Sequence, residues 1–345
     1  MANQKKKSPA RTLVKVLVIL LCVVFLILNA GRFYFRLPVL GYYGASEKAF
    51  RIPGLWEGFV PQGLSFDRES DSFLVTGYRK DKTASPVYVV GRRDGKQTGL
   101  ALLTAPDGTA YNGHAGGLSV AGDYVYVAGG GDGLYVYSRA DVLSAPAGGA
   151  PVPCLGVIPT RLGELDIKVS FTTLHDGVLT VGEFYRDPQY PTPESHKFTT
   201  AGGERLQALA VGYRLDPEAP LGLDPAPVSA WALPDLAQGM CFGEDGSILV
   251  STSWGAAFSA IRRYDPARAA VLTELPLGEG GETIPLHALD STANIGDWKF
   301  PPMAEEIELV EGKLYTMCES ASTLYWFGKL TGAQWCYATA TEKMK

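Results

Sequence analysis

The side chains most able to do chemistry are carboxylates, one histidine and a few aromatics that stand beside short apolar stretches. Glu305 and Glu306 are adjacent, and such carboxylates bind calcium or another divalent ion when neighbouring carbonyls complete the ligand set. An ion pair with Lys168 or Arg79 is an equally good interpretation of these acids. His114 is a candidate ligand or general base, although a single histidine is more often a hydrogen-bonded structural residue.

Two aromatic residues in the same regions, Trp254 and Tyr185, suit a saccharide or peptide surface and would equally well cap a buried sheet. The sequence has no GxSxG, HExxH or SxxK motif, and its cysteines and histidines lack the spacing of zinc ligands. The glycine-rich stretch at 128–133 opens no helix, which argues against a phosphate loop. A site assembled from distant segments leaves no local motif, so an enzymatic function stays open.

The elements that must position these residues repeat along the chain. Residues 115–142 contain three short stretches in which apolar and polar residues alternate, as half-buried strands require. The same pattern recurs at 63–91, at 170–182 with its third strand at 209–215, at 239–264 and at 306–328. Copies spaced by roughly fifty to seventy residues predict an array of small sheets.

Five such sheets are best buried around a common axis, so we predict an all-β, five-bladed β-propeller. The candidates for the outer strands are 100–105, 152–158, 228–233, and either 271–275 or 284–289. We expect 48–53 to complete the last blade and so remove a free edge, with 334–338 as the competing segment. A sixth blade between 271 and 300 is the alternative.

In a propeller, the entries to the inner strands and the turns between second and third strands lie on one face. Alignment of the copies puts Gln62, Gly116, Val169, Gln238 and Glu305 at one level. The predicted ligand-binding residues on this face are Gln62, Tyr78, Arg79, His114, Lys168, Glu183, Tyr185, Arg186, Gln238, Trp254, Glu305 and Glu319, with Glu305 and Glu306 as candidate metal ligands.

Two features of this face have a simpler interpretation. The pairs Gln62-Gly63 and Gln238-Gly239 would also serve to hydrogen-bond the backbone where inner strands converge, and we favour that role over ligand contact. A long polar insertion at 186–207 is either a lid or recognition loop, or a mobile loop.

The N-terminus predicts a membrane segment. Five basic residues and no acid occupy 1–15, and 13–31 is apolar except for Lys15 and Asn29. We predict a cytoplasmic tail at 1–12, a single-pass anchor at 13–31, a stalk at 32–46 and an extracytoplasmic propeller at 47–345. The rival interpretation is a cleaved signal peptide and a secreted protein.

Charge and cysteine content give weaker indications. Without the five basic residues of the first 31, the chain has 26 Lys plus Arg against 36 Asp plus Glu, a net of −10, which argues against nucleic acid as a partner. Cys154, Cys241, Cys318 and Cys336 would allow two disulfides in three pairings. For Cys241 and Cys318, which lie in apolar strands, a buried free thiol is the commoner state.

The phrases PQGLSFD, GHAGGLSV, VSFTTL, AQGMCF and PPMAEEIELVEGKLYTMCESAS, in that order between 59 and 328, resemble a group of uncharacterised bacterial β-propeller proteins that are secreted or membrane-anchored. The resemblance implies a propeller outside the cytoplasm, and it transfers no catalytic residues. Propeller lactonases and five-bladed calcium-dependent nucleotidases are similar at the level of the fold alone, and the Asn and Asp residues of a lactonase calcium site are not evident.

Two functions follow as hypotheses. The first is a membrane-anchored binding module for a cell-envelope glycan, peptide or protein. The second is a divalent-metal-dependent hydrolase or lyase, with the ion held at the propeller axis by Glu305 or Glu306 and assisted by His114.

Overall fold

The computed structural model describes residues 9–278 and 280–344, which form an N-terminal helix and a five-bladed β-propeller. The inner strands contact one another in a closed ring, so each blade packs against two neighbours. Such packing buries both faces of every sheet, which an isolated sheet in water leaves exposed. The predicted all-β fold, its blade number and the preceding helix are therefore confirmed. The basic tail predicted at 1–12 lies mostly outside the described residues.

Each blade has four antiparallel strands, ordered below from the axis outward. Blade 1 contains Phe59–Asp67, Ser72–Arg79, Pro86–Gly91 and Gln97–Leu103. Blade 2 contains Leu118–Ala121, Tyr124–Ala128, Leu134–Ser138 and Cys154–Ile158. Blade 3 contains Phe171–His175, Val178–Gly182, Ala208–Leu215 and Leu223–Leu233. Blade 4 contains Ala237–Phe242, Ile248–Thr252, Ser259–Tyr264 and Asn294–Phe300. Blade 5 contains Ala304–Val310, Lys313–Cys318, Trp335–Ala340 and Ser46–Arg51.

Shorter elements decorate this ring. The α-helices are Pro9–Arg36, Leu40–Ala45, Arg139–Ser144 and Gly328–Thr331. Single 3-10 turns occur at Leu37–Val39, Leu55–Glu57, Glu194–His196, Pro220–Gly222, Pro266–Arg268, Glu319–Ala321 and Thr341–Lys343. The additional strands are Ala150–Val152, Arg161–Leu162, Leu165–Asp166, Phe198–Thr199, Arg205–Leu206, Val271–Pro276 and Thr283–Ala288.

The N-terminal strand closes the ring as predicted. Ser46–Arg51 pairs antiparallel with Trp335–Ala340, with Lys48 opposite Tyr337. The competing segment, 334–338, instead belongs to the third strand of the same blade, Trp335–Ala340. The copy expected at 306–328 is wrong in its third strand, because 319–328 contain turns and no strand, and Trp326 is exposed there.

The outer strand of blade 4 also differs from the expectation. Asn294–Phe300 pairs with Ser259–Tyr264, so both candidates for this position were wrong. Val271–Pro276 and Thr283–Ala288 instead form a hairpin that pairs in parallel with the outer strand of blade 3. An apolar strand has the same sequence pattern whether it forms the outer strand of a blade or pairs with an adjoining strand in a hairpin. The pattern therefore does not distinguish the two arrangements. Residues 271–300 are thus used by blades 3 and 4, which leaves no sixth blade in the described chain.

The apolar core is divided into layers between adjacent blades. Between blades 5 and 1, for example, the ring of Phe73 lies 5.4 Å from that of Phe50 and 4.5 Å from that of Tyr315. Equivalent clusters fill the other blade interfaces. Cys241, Cys318 and Cys336 are buried in the core as free thiols. Blade stability therefore depends on ring closure, since each cluster is supplied from two blades.

The N-terminal helix is long and apolar enough to cross a membrane, and its apolar window is wholly exposed. Its end packs on the propeller: the ring of Phe35 stacks on Phe327 with centroids 5.5 Å apart. Tyr42 is buried beside Phe300, and its hydroxyl lies 3.0 Å from Thr316 Oγ1. The segment interpreted as a stalk is therefore largely helical and joined to blades 4 and 5.

Candidate functional site

A single carboxyl group, that of Glu306, occupies the centre of the ring. Its Oε2 accepts hydrogen bonds from the backbone N–H of Leu64 at 2.6 Å and of Leu118 at 3.0 Å, and its Oε1 accepts from Thr172 N–H at 2.9 Å. These donors belong to the inner strands of blades 1, 2 and 3, whereas Glu306 belongs to blade 5. Burial raises the pKa of Glu306, and the three hydrogen bonds oppose that rise. The carboxyl group thus joins four blades.

Glycines allow this close approach of the inner strands. A Cβ atom at Gly117 would overlap Glu306 Oε1 and would lie 2.7 Å from Phe171 Cα. A Cβ at Gly239 would lie 2.6 Å from Glu306 Cα. Real Cβ contacts are not this short, so side chains at these positions would force the strands apart. The strand convergence inferred from the sequence is what the geometry shows.

Above Glu306 lies a cavity of about 460 Å³, at the end of the axis where the inner strands begin. The five residues predicted to lie at one level of the propeller are close together, since all of them line this cavity: Gln62, Gly116, Val169, Gln238 and Glu305. The predicted site residues that line it are Gln62, Tyr78, His114, Lys168, Gln238, Trp254, Glu305 and Glu319.

Three inner strands carry a β-bulge at this level. The pairing register shifts between Pro61 and Gly63, between Ala237 and Gly239, and between Ala304 and Ile307. Each bulge inserts one extra residue and redirects side chains, a device common beside functional sites. In this way Gln62, Gln238 and Glu305 reach the cavity while their neighbours stay in the ring.

Four predicted residues lie outside the cavity lining. Arg79 is 3.4 Å from the Tyr88 hydroxyl and 3.8 Å from Glu57. Tyr185 is buried in the layer between blades 3 and 4. Glu183 and Arg186 do not line the cavity but contact residues that do, Lys168 and Trp254 respectively. Arg186 stacks on the outer side of the site with its guanidinium 4.0 Å from the Trp254 ring centroid.

Glu183 fixes the long insertion to blade 3. Both of its carboxylate oxygens lie 3.0 Å from Nδ1 of the buried His196, which belongs to the insertion. Glu183 also accepts from the backbone N–H of Lys168 and of Leu209. The insertion therefore forms a wall of the cavity, to which it contributes Tyr190 and Pro191.

Two acidic groups in the cavity lie close enough to influence each other. Glu305 is buried, and its Oε1 has no hydrogen-bond partner in the described structure. Burial raises the pKa of Glu305, and the charges of Glu319 and Glu306 raise it further. Burial also raises the pKa of Glu319, opposed by hydrogen bonds to its Oε1 from the hydroxyls of Tyr325 at 2.8 Å and Tyr78 at 3.0 Å. Burial of the pair therefore favours the protonated form of both acids.

Other polar groups complete the cavity. Ser253 Oγ is buried and has no partner in the described structure. The His114 ring lies 4.4 Å from that of Tyr78. Desolvation lowers the pKa of His114, and Lys82 and Lys168 act in the same direction; because His114 as a whole is exposed, we expect a modest shift.

An aromatic cluster borders the entrance. The ring centroids of Phe184 and Tyr190 lie 6.0 and 5.9 Å from that of Trp254, and 5.4 Å from each other. Phe184, Tyr190, Ser253 and Tyr325 are not among the residues predicted from the sequence. Phe184 was missed because neighbouring residues of an extended segment face opposite sides, and Tyr185 was chosen instead. Tyr325 lies between turns and not in a strand of the copy expected at 306–328.

The described residues include no group of three or more His, Cys, Asp or Glu side chains placed to share a metal ion. Both oxygens of Glu306 face backbone N–H groups. Of the two candidate metal ligands, only Glu305 lines the cavity, and its Oε1 is buried without a hydrogen-bond partner in the described structure.

Neither a protein-family model nor a curated protein matches the chain. Solved structures similar to it include the glutaminyl cyclase of Myxococcus xanthus, with 11% identity, a TM-score of 0.41 and coverage of 85% of this chain and 94% of that one. A gluconolactonase from Xanthomonas campestris has 14% identity and a TM-score of 0.38, with 82% and 86% covered. An aldose sugar dehydrogenase from Streptomyces coelicolor has 16% identity and a TM-score of 0.35, with 79% and 76% covered. These likenesses concern the fold. The described residues themselves form a β-propeller preceded by one helix long and apolar enough to cross a membrane.

Proposed function

We propose that this protein is a single-pass, membrane-anchored propeller outside the cytoplasm that binds the glycan part of a cell-envelope molecule in its axial cavity. The observation that carries the proposal is that two residues lining one cavity, Glu305 and Ser253, each hold a buried polar atom, Oε1 and Oγ, without a hydrogen-bond partner in the described structure. A buried polar group without a partner costs about 1–3 kcal/mol, so a ligand that supplies hydrogen bonds gains affinity from both.

The chemistry of the cavity favours a saccharide. Its volume of about 460 Å³ lies within the range of about 300–1,000 Å³ typical of small-molecule sites. Sugar hydroxyls both donate and accept hydrogen bonds. They can therefore pair with a carboxyl group, a serine hydroxyl and the side-chain amides of Gln62 and Gln238, which between them offer donors and acceptors. The aromatic cluster at Trp254 offers flat faces for the C–H side of a sugar ring.

The position of the helix supports a ligand held near the membrane. Phe35, at the end of the helix, packs in one cluster with Met303 and Tyr325, and both of these line the cavity. The ring centroid of Tyr34 also lies 6.4 Å from that of Phe258 in blade 4. The helix therefore joins the propeller on the face that bears the cavity entrance.

Binding is tested with the full chain in nanodiscs, titrated calorimetrically with saccharide fragments and, separately, peptide fragments released enzymatically from cell envelope. We expect saccharides to bind and Trp254→Ala to weaken binding at least tenfold, about 1.4 kcal/mol. Trp298→Ala is the matched control, since Trp298 is partly buried like Trp254 but lies on the outer strand of blade 4, outside the cavity. Binding of peptides alone, or equal affinities of the two variants, contradicts the proposal.

The anchor is tested separately by the mass of the mature protein purified from membranes. An intact N-terminus that includes the helix is the expected result. A mature chain that begins near residue 31 would show that the helix is a cleaved signal sequence.

A second candidate is a metal-dependent hydrolase or lyase, favoured by the free oxygen of Glu305 beside Glu319. Calorimetric titration of metal-stripped protein with calcium, magnesium and zinc tests it, with Glu305→Gln as the variant that must lose binding. The absence of binding to all three ions removes this candidate and leaves the glycan proposal unaffected.

A further inference from the structure

Beside the junction of helix and propeller lies a second pocket, of about 290 Å³. Three basic residues line it, Arg36, Arg51 and Lys329, together with Trp56, and no acidic residue does. None of the three forms an ion pair among the described residues. The pocket is therefore locally basic in a chain whose net charge is −5.

The height of this pocket follows from the helix geometry. Arg36 ends the helix and lies five residues beyond 31, the last residue of the apolar stretch. At about 1.5 Å per residue, Arg36 lies about 7 Å outside the hydrocarbon layer. The headgroup region is about 5–8 Å deep on each side of a bilayer, so the pocket lies at headgroup level.

Exposed apolar side chains surround the same place. Trp56 is 76% exposed, Trp326 is 75% exposed and Leu324 is 47% exposed. Trp326 adjoins Phe327, which stacks on Phe35 of the helix. Tryptophans beside basic groups at a helix exit are characteristic of contact with the membrane interface.

From this juxtaposition we infer that the pocket formed by Arg36, Arg51 and Lys329 binds the phosphate headgroup of an anionic phospholipid. Trp56, Leu324 and Trp326 enter the interface around it. A phosphodiester satisfies three converging cations, and the guanidinium of Arg51 can contact two of its oxygens. The Arg36 guanidinium is already oriented, because its Nε donates to the carbonyl of Leu330 at 3.0 Å. Bound lipid would hold the cavity entrance toward the bilayer.

This inference rests on the proposal that the helix is retained as an anchor. The test uses the full chain in three preparations: nanodiscs of phosphatidylcholine, nanodiscs with about one third phosphatidylglycerol, and phosphatidylcholine nanodiscs with added inorganic phosphate. An uncharged amine reagent labels lysines, and mass spectrometry of peptides gives the rate at Lys329. Lys96, on an exposed turn of blade 1, is the internal reference.

We expect phosphatidylglycerol to slow labelling of Lys329 at least threefold relative to Lys96, and inorganic phosphate to leave it unchanged. Arg51→Gln should remove most of this protection, whereas Arg214→Gln, on the exposed end of a blade 3 strand, should retain it. Equal labelling in both lipids overturns the inference, as does protection by inorganic phosphate or protection that persists in Arg51→Gln. A chain that lacks the helix would instead refute the anchor, and the readout at Lys329 is independent of glycan binding.

Discussion

The substitution Glu306→Gln tests whether one carboxyl group holds the ring together. The glutamine oxygen can replace Oε2 and accept from Leu64 and Leu118, but its amide nitrogen then faces the N–H of Thr172. An amide nitrogen has no lone pair to offer, whereas Oε1 of a carboxyl group has one in either protonation state. One buried N–H thus loses its acceptor.

The expected cost follows from this loss, since an unpartnered buried N–H costs about 1–3 kcal/mol. We therefore expect Glu306→Gln to lower the free energy of unfolding by about 2 kcal/mol. The matched control is Glu305→Gln. Because Glu305 Oε1 makes no hydrogen bond, that change should be neutral or slightly stabilising.

The assay is urea unfolding of the full chain in detergent micelles, followed by tryptophan fluorescence. A lower midpoint at unchanged slope reports a loss of stability. If both variants unfold at the same midpoint as the parent, the central carboxyl group does not stabilise the ring and the reasoning is refuted.

Three further predictions follow. Gly117→Ala should destabilise the fold by about 2 kcal/mol or more, because the new Cβ would lie 2.8 Å from a backbone nitrogen. Gly131→Ala is the control, since a Cβ there would lie in open space and should leave stability unchanged. Equal urea midpoints of the two variants would contradict this prediction. Burial raises the pKa of Glu308 to about 8, above its unfolded value. Between the unfolded pKa of 4.5 and the folded pKa of about 8, folding binds a proton, so stability falls as pH rises through this range. Glu308→Gln should therefore flatten the pH profile of the melting temperature. Tyr325→Phe should raise the pKa of Glu319 further through loss of a hydrogen bond to the ionised carboxylate, measured from the infrared band of the protonated carboxyl; an unchanged band position and titration would count against it.

Most of the fold could be predicted because its evidence is local. Strands such as Tyr124–Ala128 alternate with period two, and the turns between them contain glycine, so five copies were visible without any long-range information. Closure by the strand at 46–51 followed from the absence of an obvious partner after the last copy. The hairpin at 271–288 could not be assigned in the same way, since its strands have the same pattern as an outer strand.

The cavity was predicted at the right level, but the direction of individual side chains was not. Gln62, Gln238 and Glu305 reach the cavity because bulges shift the phase of their strands, and a bulge has no signature in the residues themselves. The same shift separates Glu305, which faces the cavity, from Glu306, which faces the ring.

The sequence by itself determined the repeated sheet, the number of blades, the N-terminal closure and the apolar helix, because each is recorded in residue types a few positions apart. Only the tertiary structure decided that Glu306 joins four blades, that Phe184 and not Tyr185 borders the cavity, and that the helix meets the propeller beside the cavity entrance. Those outcomes depend on distances between atoms of different blades, which close packing around the axis sets and no single segment specifies.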